Sequence, residues 1–332
     1  MIDWALTFRR RERKGIKQGT RRTYRTKKSL IKAANISSCE DSGGRGSRSC
    51  DGIEHIDTVS PLGKNHLGRF AYEREMPNWL ARMLIKGGQV CTDGVISDLI
   101  WLAERSTSIS HAYFCNPCVQ HVSKLRLEGG FCGYRNIQSL ISYIISTRSS
   151  GVETFGNNLP SIFQIQDLIE KAWDMGFNSN GRLETGGIRG TRKYIGTPEA
   201  QALFNSISIP CSVKAFRRTK EGKSYQEVLK KIEAYFEQAC STDQSKIRST
   251  ELPPIYLQHQ GHSLTIVGFE RNWKNESFLY VFDPSSRDPQ AIKKYSRSDR
   301  LKNGGSKIES VIDVYRRGKR YLSKHDNFEL LL

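Results

Sequence analysis

Long apolar runs and several familiar enzyme motifs are missing from this 332-residue sequence. No stretch approaches the roughly 20 consecutive apolar residues that cross a bilayer, so we expect no membrane-spanning segment. Gly186, Gly187 and Gly190 lie in a glycine-rich stretch, but it lacks the G-K-[ST] ending of a phosphate-binding loop and no strand leads into it. H-E-x-x-H, G-x-S-x-G and the dinucleotide-binding fingerprint are also absent. The sequence therefore argues against a nucleotide-binding protein, a zinc protease of that motif and a serine hydrolase.

Acidic residues are scarce, above all near the N-terminus. The chain has 52 Lys and Arg against 34 Asp and Glu, a formal net charge of +18, and residues 1–50 hold 14 of the former and four of the latter. Residues 1–60 also show little apolar periodicity, so we expect them to form a basic, disordered tail. The alternative to a merely solvated tail is one that binds nucleic-acid phosphates, although no known nucleic-acid-binding module accompanies it.

A secretory signal is lacking as well, because the apolar stretch in MIDWALTFRRRERK is short and the charges follow it. We therefore expect a protein of the cytoplasm, the nucleus or both, and the RRRERK cluster fits a nuclear-localisation patch. In those compartments the eight cysteines are expected to be reduced thiols rather than a disulfide framework.

What the sequence does contain is a series of amphipathic helices followed by a series of strands. Helical spacing of apolar residues predicts helices in MPNWLARMLIKG, GVISDLIWLAERS, IQSLISYIIS, IFQIQDLIEKAWDMG, GTPEAQALFNSI and SYQEVLKKIEAYFEQAC. In the fifth, Thr197 is the expected cap and Pro198 the first helical residue. The segments PIYLQHQ, SLTIVGFERN and FLYVFDP predict strands, and ESVIDVYRR a last strand or helix. This order indicates an α+β fold with a mainly antiparallel sheet.

Cys132 is the first candidate for chemistry. It lies in EGGFCGYRN, with glycines on both sides and a helix directly after it. The positive end of a helix dipole stabilises a thiolate and lowers its pKa, and flanking glycines would let a substrate backbone approach closely. The alternative is a cysteine packed as a small apolar residue at a helix start.

His262 and Asp283 are the candidate partners of this thiol. His262 opens one predicted strand and Asp283 closes the next, so a hairpin would bring the carboxylate to one ring nitrogen while the other faces the thiol. The wide separation of Cys132 and His262 is similar to the spacing in papain-type enzymes. The alternatives are a backbone-bonded loop histidine and a turn-forming Asp-Pro.

The segment HAYFCNPCVQH places His111, Cys115, Cys118 and His121 within eleven residues. Zinc accepts such ligands, but no second cluster closes a larger structural unit. We therefore expect no metal site and interpret the stretch as a helix-flanking segment in which His121 packs close to the cysteine loop.

Several segments together resemble a known family. FCGYRNIQ, AWDMGFNSNGR, GTRKYIGTPEAQALF, PIYLQHQGHSLTIVGFE and FLYVFDPS are similar to the cysteine peptidases related to the ubiquitin-fold-modifier-specific proteases, and most similar to their zinc-finger-containing deubiquitinase branch and its fungal relatives. The resemblance runs from about residue 65 to about residue 325. It implies a papain-like cysteine protease fold over residues 61–332, with Cys132 as nucleophile, His262 as base, Asp283 as the third member and Gln258 as oxyanion donor, and no cofactor.

The resemblance also bears on the substrate. Ser285 follows the Asp-Pro pair, where the proteases for ubiquitin-fold modifier are expected to have a histidine, so the deubiquitinase branch and ubiquitin or polyubiquitin are the favoured reading. A protease for another ubiquitin-like modifier and a non-catalytic ubiquitin or nucleic-acid binder are the alternatives. The sequence has no zinc finger of the two-cysteine, two-histidine kind, and the helices in residues 64–108 are the expected place for an extension that binds ubiquitin.

Overall fold

The nucleophile candidate lies at the junction of a helical layer and a sheet in this computed structural model, which describes residues 70–87, 90–219, 222–240, 244–292 and 305–332. These residues all belong to one compact structural unit. The basic tail expected at residues 1–60 lies outside them. In this part of the chain no helix is long and apolar enough to cross a membrane.

The helices follow the apolar periodicity of the sequence. Ser161 and Gln164, for example, form a reciprocal capping box that fixes the start of one of them. The helices are α1 (Asn78–Gly87), α2 (Val95–Arg105), α3 (Cys132–Thr147), α4 (Val152–Phe155), α5 (Ile162–Asp174), α6 (Asn180–Thr185), α7 (Thr197–Ser206), α8 (Ser224–Glu237), α9 (Gly305–Ile312) and α10 (Lys319–Leu322).

Among the described residues, the strands form one two-stranded and one eight-stranded sheet. They are β1 (Val90–Thr92), β2 (Ile109–Phe114), β3 (His121–Ser123), β4 (Val213–Arg217), β5 (Ile247–Ser249), β6 (Ile255–His259), β7 (His262–Asn272), β8 (Ser277–Phe282), β9 (Arg316–Gly318) and β10 (Asn327–Leu331). Strands β1 and β3 pair with each other, and the larger sheet has the order β4-β10-β6-β7-β2-β5, with β8 on β7 and β9 on β8. Only the β2–β5 pair is parallel within this described part, which confirms the predicted mainly antiparallel sheet.

The long strand β7 is the centre of the sheet. It pairs with β6, β2 and β8, and Ser263 through Glu270 are buried without a break. A strand covered on both faces is expected to carry such a continuous buried run. This position makes the start of β7 a rigid place for a functional side chain.

Two apolar cores flank the site. One lies between α2, α8 and the sheet, and the other joins α1, α3, α5 and α7. Helix α3 packs against β7, so its first turn meets the sheet where the two cores adjoin. In α1, Leu80 and Leu84 are buried, as the apolar spacing predicts, but Trp79, which belongs to the same spacing, is half exposed. Whether this helix binds a partner stays a prediction.

The structure corrects some local predictions. Thr197 is not the cap of α7 but its first residue, after Gly196, and its hydroxyl bonds the Glu329 carboxylate. The segment from His111 to His121 does not flank a helix, because it runs from β2 into β3. ESVIDVYRR supplies both the end of α9 and the start of β9. Strands β1 to β5 and β10 were not predicted, since most are short and lack a clear alternating pattern.

Candidate active site

Three elements bring the predicted site residues together. Cys132 is the first residue of α3, His262 is the first residue of β7, and Asp283 directly follows β8. The β6–β7 hairpin pairs His259 with His262 across a two-residue turn. Gly261 in that turn has a φ of +79°, a conformation that glycine adopts without steric cost. The tight turn therefore holds His262 at the mouth of the hairpin.

His262 and Asp283 form a direct pair. His262 Nε2 lies 2.8 Å from Asp283 Oδ1, and both side chains are largely buried. The same oxygen accepts the Ser285 backbone N–H at 2.9 Å, and Arg317 Nη2 donates to Oδ2 at 3.1 Å. With Nε2 engaged, Nδ1 is the ring nitrogen left to hydrogen-bond Cys132, whose side chain contacts His262. This is the orientation of base and orienting carboxylate that a thiol nucleophile requires.

The charges at the site favour a thiolate. Burial alone would raise the pKa of Cys132, but the hydrogen bond and charge of His262, together with hydrogen bonds from Ser263, lower it to about 7. For His262, burial would lower the pKa, yet hydrogen bonds to Asp283 and Cys132 raise it to about 9. Between these values the sulfur is negative and the imidazole positive, so nucleophile and proton donor are both in their reactive forms.

Asp283 stays ionised throughout this range. Burial opposes its charge, but the hydrogen bond and charge of His262 and the Ser285 N–H hold its pKa well below the usual value. Its backbone is fixed too, because His121 Nε2 lies 3.1 Å from the Asp283 carbonyl oxygen and Nδ1 lies 2.7 Å from Asp288 Oδ1. His121 thus holds the backbone of Asp283 in place rather than the cysteine loop.

Gln258 lies beside the pair but is engaged elsewhere. Its Nε2 donates to the carbonyl oxygens of His259 at 2.9 Å and His262 at 3.2 Å, and its Oε1 accepts the Tyr256 hydroxyl at 3.2 Å. A substrate oxygen would have to replace one of the two carbonyls, and the longer bond is the more readily exchanged. The oxyanion role of Gln258 therefore stays a prediction.

The glycines around Cys132 serve the protein's own packing. A Cβ on Gly130 would lie 1.6 Å from the Tyr194 ring, and a Cβ on Gly133 would lie 2.7 Å from Ile195 Cγ1 and 2.8 Å from the Ile195 carbonyl oxygen. The expectation that these two glycines leave room for a substrate backbone is wrong, because Tyr194 and Ile195 occupy that room. Their small size instead lets the segment before α7 press against the start of α3.

Two buried pairs near the nucleophile were missed from the sequence. Arg135 makes a two-pronged ion pair with Glu128, with both bonds at 2.8 Å, and Asn136 Nδ2 donates to Ser263 Oγ at 2.9 Å. Arg135 and Asn136 stand in the CGYRN motif and Ser263 follows His262. Their adjacency to the motif residues was the available signal.

Metal ligands are not gathered near this site. Among the described residues, no group of three or more His, Cys, Asp or Glu side chains lies where it could hold a metal ion. Cys115 is buried and Cys118 partly buried, both as free thiols, and burial raises the pKa of each.

Comparison with known proteins identifies relatives over the same region. Residues 108–331 match peptidase family C78. Zinc finger-containing ubiquitin peptidase 1 from Mus musculus is 31% identical over 249 residues, covering 73% of this chain and 43% of the relative. Ubiquitin carboxyl-terminal hydrolase mug105 from Schizosaccharomyces pombe is 29% identical over 209 residues, covering 61% of this chain and 75% of the relative. The chain thus spans less than half the length of the mouse relative.

A solved structure also aligns with the chain. UfSP from C. elegans matches with a TM-score of 0.44 and 16% identity, covering 74% of this chain and 37% of that one. The family match is the stronger finding, since it includes the whole eight-stranded sheet together with Cys132, His262 and Asp283. The chain therefore belongs to peptidase family C78.

Proposed function

We propose that the protein is a deubiquitinase that hydrolyses isopeptide bonds after the C-terminus of ubiquitin, including those within polyubiquitin chains. The observation that carries this proposal is the His262–Asp283 pair at 2.8 Å, turned toward Cys132 at the head of α3. The names of the mouse and fission-yeast relatives, a ubiquitin peptidase and a ubiquitin carboxyl-terminal hydrolase, support ubiquitin as the substrate.

The geometry supports a two-step acyl transfer. The Cys132 thiolate attacks the carbonyl carbon of the modifier's last residue, and the negative charge moves to the carbonyl oxygen. The backbone N–H of Cys132, in the first turn of α3 where helical acceptors are lacking, and the Gln258 amide are the proposed donors to that oxygen. His262 gives its proton to the departing lysine amine, which leaves a thioester on Cys132.

Water completes the cycle. His262, now neutral, takes a proton from a water molecule, whose oxygen attacks the thioester carbonyl. The sulfur departs as thiolate, the carboxylic acid of the modifier is released, and the imidazolium is restored. Asp283 holds the ring in place and stabilises its positive charge in both steps. No cofactor is needed for either step.

We expect this enzyme to act in the cytoplasm, the nucleus or both. Contact with nucleic acid through the basic residues 1–60 remains part of the proposal, since phosphate binding needs only dense Lys and Arg. A protease for ubiquitin-fold modifier or another ubiquitin-like protein, and a non-catalytic binder, are the competing functions.

The decisive test is labelling with ubiquitin that carries an electrophile at its C-terminus, beside the corresponding ubiquitin-fold-modifier probe. We expect an adduct with the ubiquitin probe alone, and its loss in Cys132→Ala. An adduct with the other probe alone would keep the nucleophile and replace the substrate. If neither probe reacts while both modify a known positive control, the deubiquitinase proposal is wrong.

A further inference from the structure

Three polar side chains without solvent exposure line the contact between α3 and β7. Asn136 follows Cys132 by one turn of α3, so the two share a face of the helix. Ser263 and Thr265 lie two residues apart on β7 and point to the same side of the strand. Asn136, Ser263 and Thr265 are all fully buried. A buried polar group is costly unless it is bonded, so this set calls for a physical account.

Their hydrogen bonds run in one direction. Thr265 Oγ1 donates to Asn136 Oδ1 at 2.8 Å, because an amide oxygen can only accept. This contact fixes the amide, so Asn136 Nδ2 points at Ser263 and donates to its Oγ at 2.9 Å. The Ser263 oxygen thereby accepts one hydrogen bond, and the Ser263 hydroxyl can still donate one to another acceptor.

Two acceptors lie within reach of that proton. One is the sulfur of Cys132, because Asn136, which bonds the Ser263 oxygen, lies one helical turn from Cys132, and the Ser263 hydroxyl and backbone N–H both help to lower the pKa of that sulfur. The other is the Tyr256 hydroxyl oxygen, whose proton goes to Gln258 Oε1. A hydrogen bond to an ionised group is about twice as strong as one between neutral groups, so the Ser263 hydroxyl donates its hydrogen bond to the sulfur whenever the sulfur is charged.

We propose that Ser263 is a further catalytic residue whose hydroxyl donates a hydrogen bond to the Cys132 thiolate, and that Asn136 and Thr265 are positioning residues that direct this hydroxyl. In taking Cys132 as the nucleophile, the inference rests on the proposed function. No covalent bond is made or broken by Ser263. When the sulfur attacks and its charge passes to the carbonyl oxygen, the Ser263 proton is free to turn to Tyr256.

The role of Ser263 differs from that of His262. His262 supplies both a proton for the leaving group and a positive charge beside the sulfur. Ser263 is instead a neutral hydrogen-bond donor whose proton stays on its own oxygen. Removing Ser263 therefore lowers the fraction of thiolate near neutral pH without removing the general acid. The loss should be visible below the titration midpoint of Cys132 and vanish above it.

The test is the pH dependence of alkylation at Cys132 by iodoacetamide, followed by mass spectrometry of the peptide that contains this cysteine. In Ser263→Ala we expect the midpoint to rise by about one pH unit, and alkylation below both midpoints to be about tenfold slower than in the unmodified protein. Above both midpoints the rate should not be lower. Ser142→Ala is the matched control, because Ser142 is a buried serine of α3 that bonds Gln120 and Ser139.

A second variant tests whether Asn136 directs the Ser263 hydroxyl toward the Cys132 sulfur. In Asn136→Asp, a carboxylate faces Ser263 and accepts its hydrogen bond in place of the sulfur, so the midpoint should again lie above that of the unmodified protein. Part of that rise comes from the added charge, which persists in the double variant Ser263→Ala/Asn136→Asp. We therefore expect the double variant to shift the midpoint by less than the sum of the two single shifts.

A midpoint in Ser263→Ala equal to that in the unmodified protein would overturn the proposal, as would additive shifts in the double variant. The alkylation assay contains no ubiquitin, so it separates this proposal from the substrate. If the expected shifts occur in a protein that does not react with the ubiquitin probe, the role of Ser263 as hydrogen-bond donor is supported and the ubiquitin substrate is contradicted.

Discussion

Cys132 and His262 share one proton, and the two pKa values set the pH range in which the pair is charged. Since the pKa of Cys132 is lowered to about 7, the thiolate is present above that pH. Since the pKa of His262 is raised to about 9, its proton is available below that pH. The active form therefore exists between the two values.

We expect kcat/KM on a fluorogenic ubiquitin substrate to rise as the pH passes about 7 and to fall as it passes about 9. In Asp283→Asn, burial of His262 is no longer offset by the carboxylate, so its pKa drops and the basic limb moves to lower pH. The activity at the optimum should also fall, because the ring loses its orienting partner. An acidic limb near the ordinary thiol value of 9.0 would contradict the ion pair.

The sequence predicted the residues that carry charge and missed those that aim them. Cys132, His262 and Asp283 are recognisable because each stands at an element boundary beside a glycine or proline, where a reactive side chain can be presented. Asn136 and Ser263 are small polar residues inside elements. Nothing in the sequence alone distinguishes a buried hydrogen bond between them from solvent contact, because their contact depends on how α3 meets β7.

At the scale of elements, the loop before α3 is tied to the helix by charge. The side chains of Glu128 and Arg135 are both fully buried. The Leu125 backbone N–H donates to Glu128 at 2.6 Å, and Arg135 reaches Gln138 at 2.9 Å. Leu127 lies in this loop with a φ of +65°, which is uncommon for a residue with a branched side chain. The ion pair holds the loop in that conformation.

We expect Arg135→Met to lower the free energy of unfolding by about 3–5 kcal/mol, because it leaves the Glu128 charge buried and unpaired. The double variant Glu128→Leu/Arg135→Met should lose less, since no lone charge remains. Urea denaturation measures both. Arg218→Met is the control, since Arg218 and Asp326 are each 63% exposed, and an exposed pair contributes under about 1 kcal/mol. A single variant as stable as the control would contradict this account.

Element prediction succeeded where the apolar periodicity is long. Helices α1, α2, α5 and α8 and strands β6 to β8 follow their patterns. Strand β4 and strand β10 were not recognised, because VKAFR and NFELL lack the dense β-branched and aromatic composition of the segments that contain β6 to β8. The prediction that Thr197 caps α7 was wrong for a different reason. Its hydroxyl has the right chemistry for capping, but it donates to the Glu329 carboxylate on β10, a tertiary contact that the local sequence does not reveal.

At the scale of the whole molecule, positive charge is concentrated at one end of the sequence. Residues 1–50 contribute more than half of the net charge of +18, and the family match begins only at residue 108. The proposed catalytic groups and the residues that hold them in place all lie beyond residue 69. The boundary at residue 60 stays a prediction from composition.

Deletion of residues 1–60 is expected to leave kcat/KM on a small fluorogenic ubiquitin substrate unchanged within about twofold, the scale of a few tenths of a kcal/mol. The physical reason is that the proposed chemistry needs only side chains beyond residue 69. The same deletion should weaken binding to a DNA duplex at low salt if the tail contacts phosphates. A large loss of hydrolysis would show that the boundary lies elsewhere.

Strand β10 has a consequence for when the enzyme can become active. It lies between β4 and β6 and pairs Glu329 with Gln258 and Phe328 with His259, so the hairpin that carries His262 is completed by residues made about 200 positions after Cys132. At the usual ribosomal speed of roughly 5–20 residues per second, that gap lasts about 10–40 s. During synthesis the thiol is therefore made 130 residues before its base and about 200 before the strand that completes the hairpin, so the order of the elements delays peptidase activity until the sheet has closed.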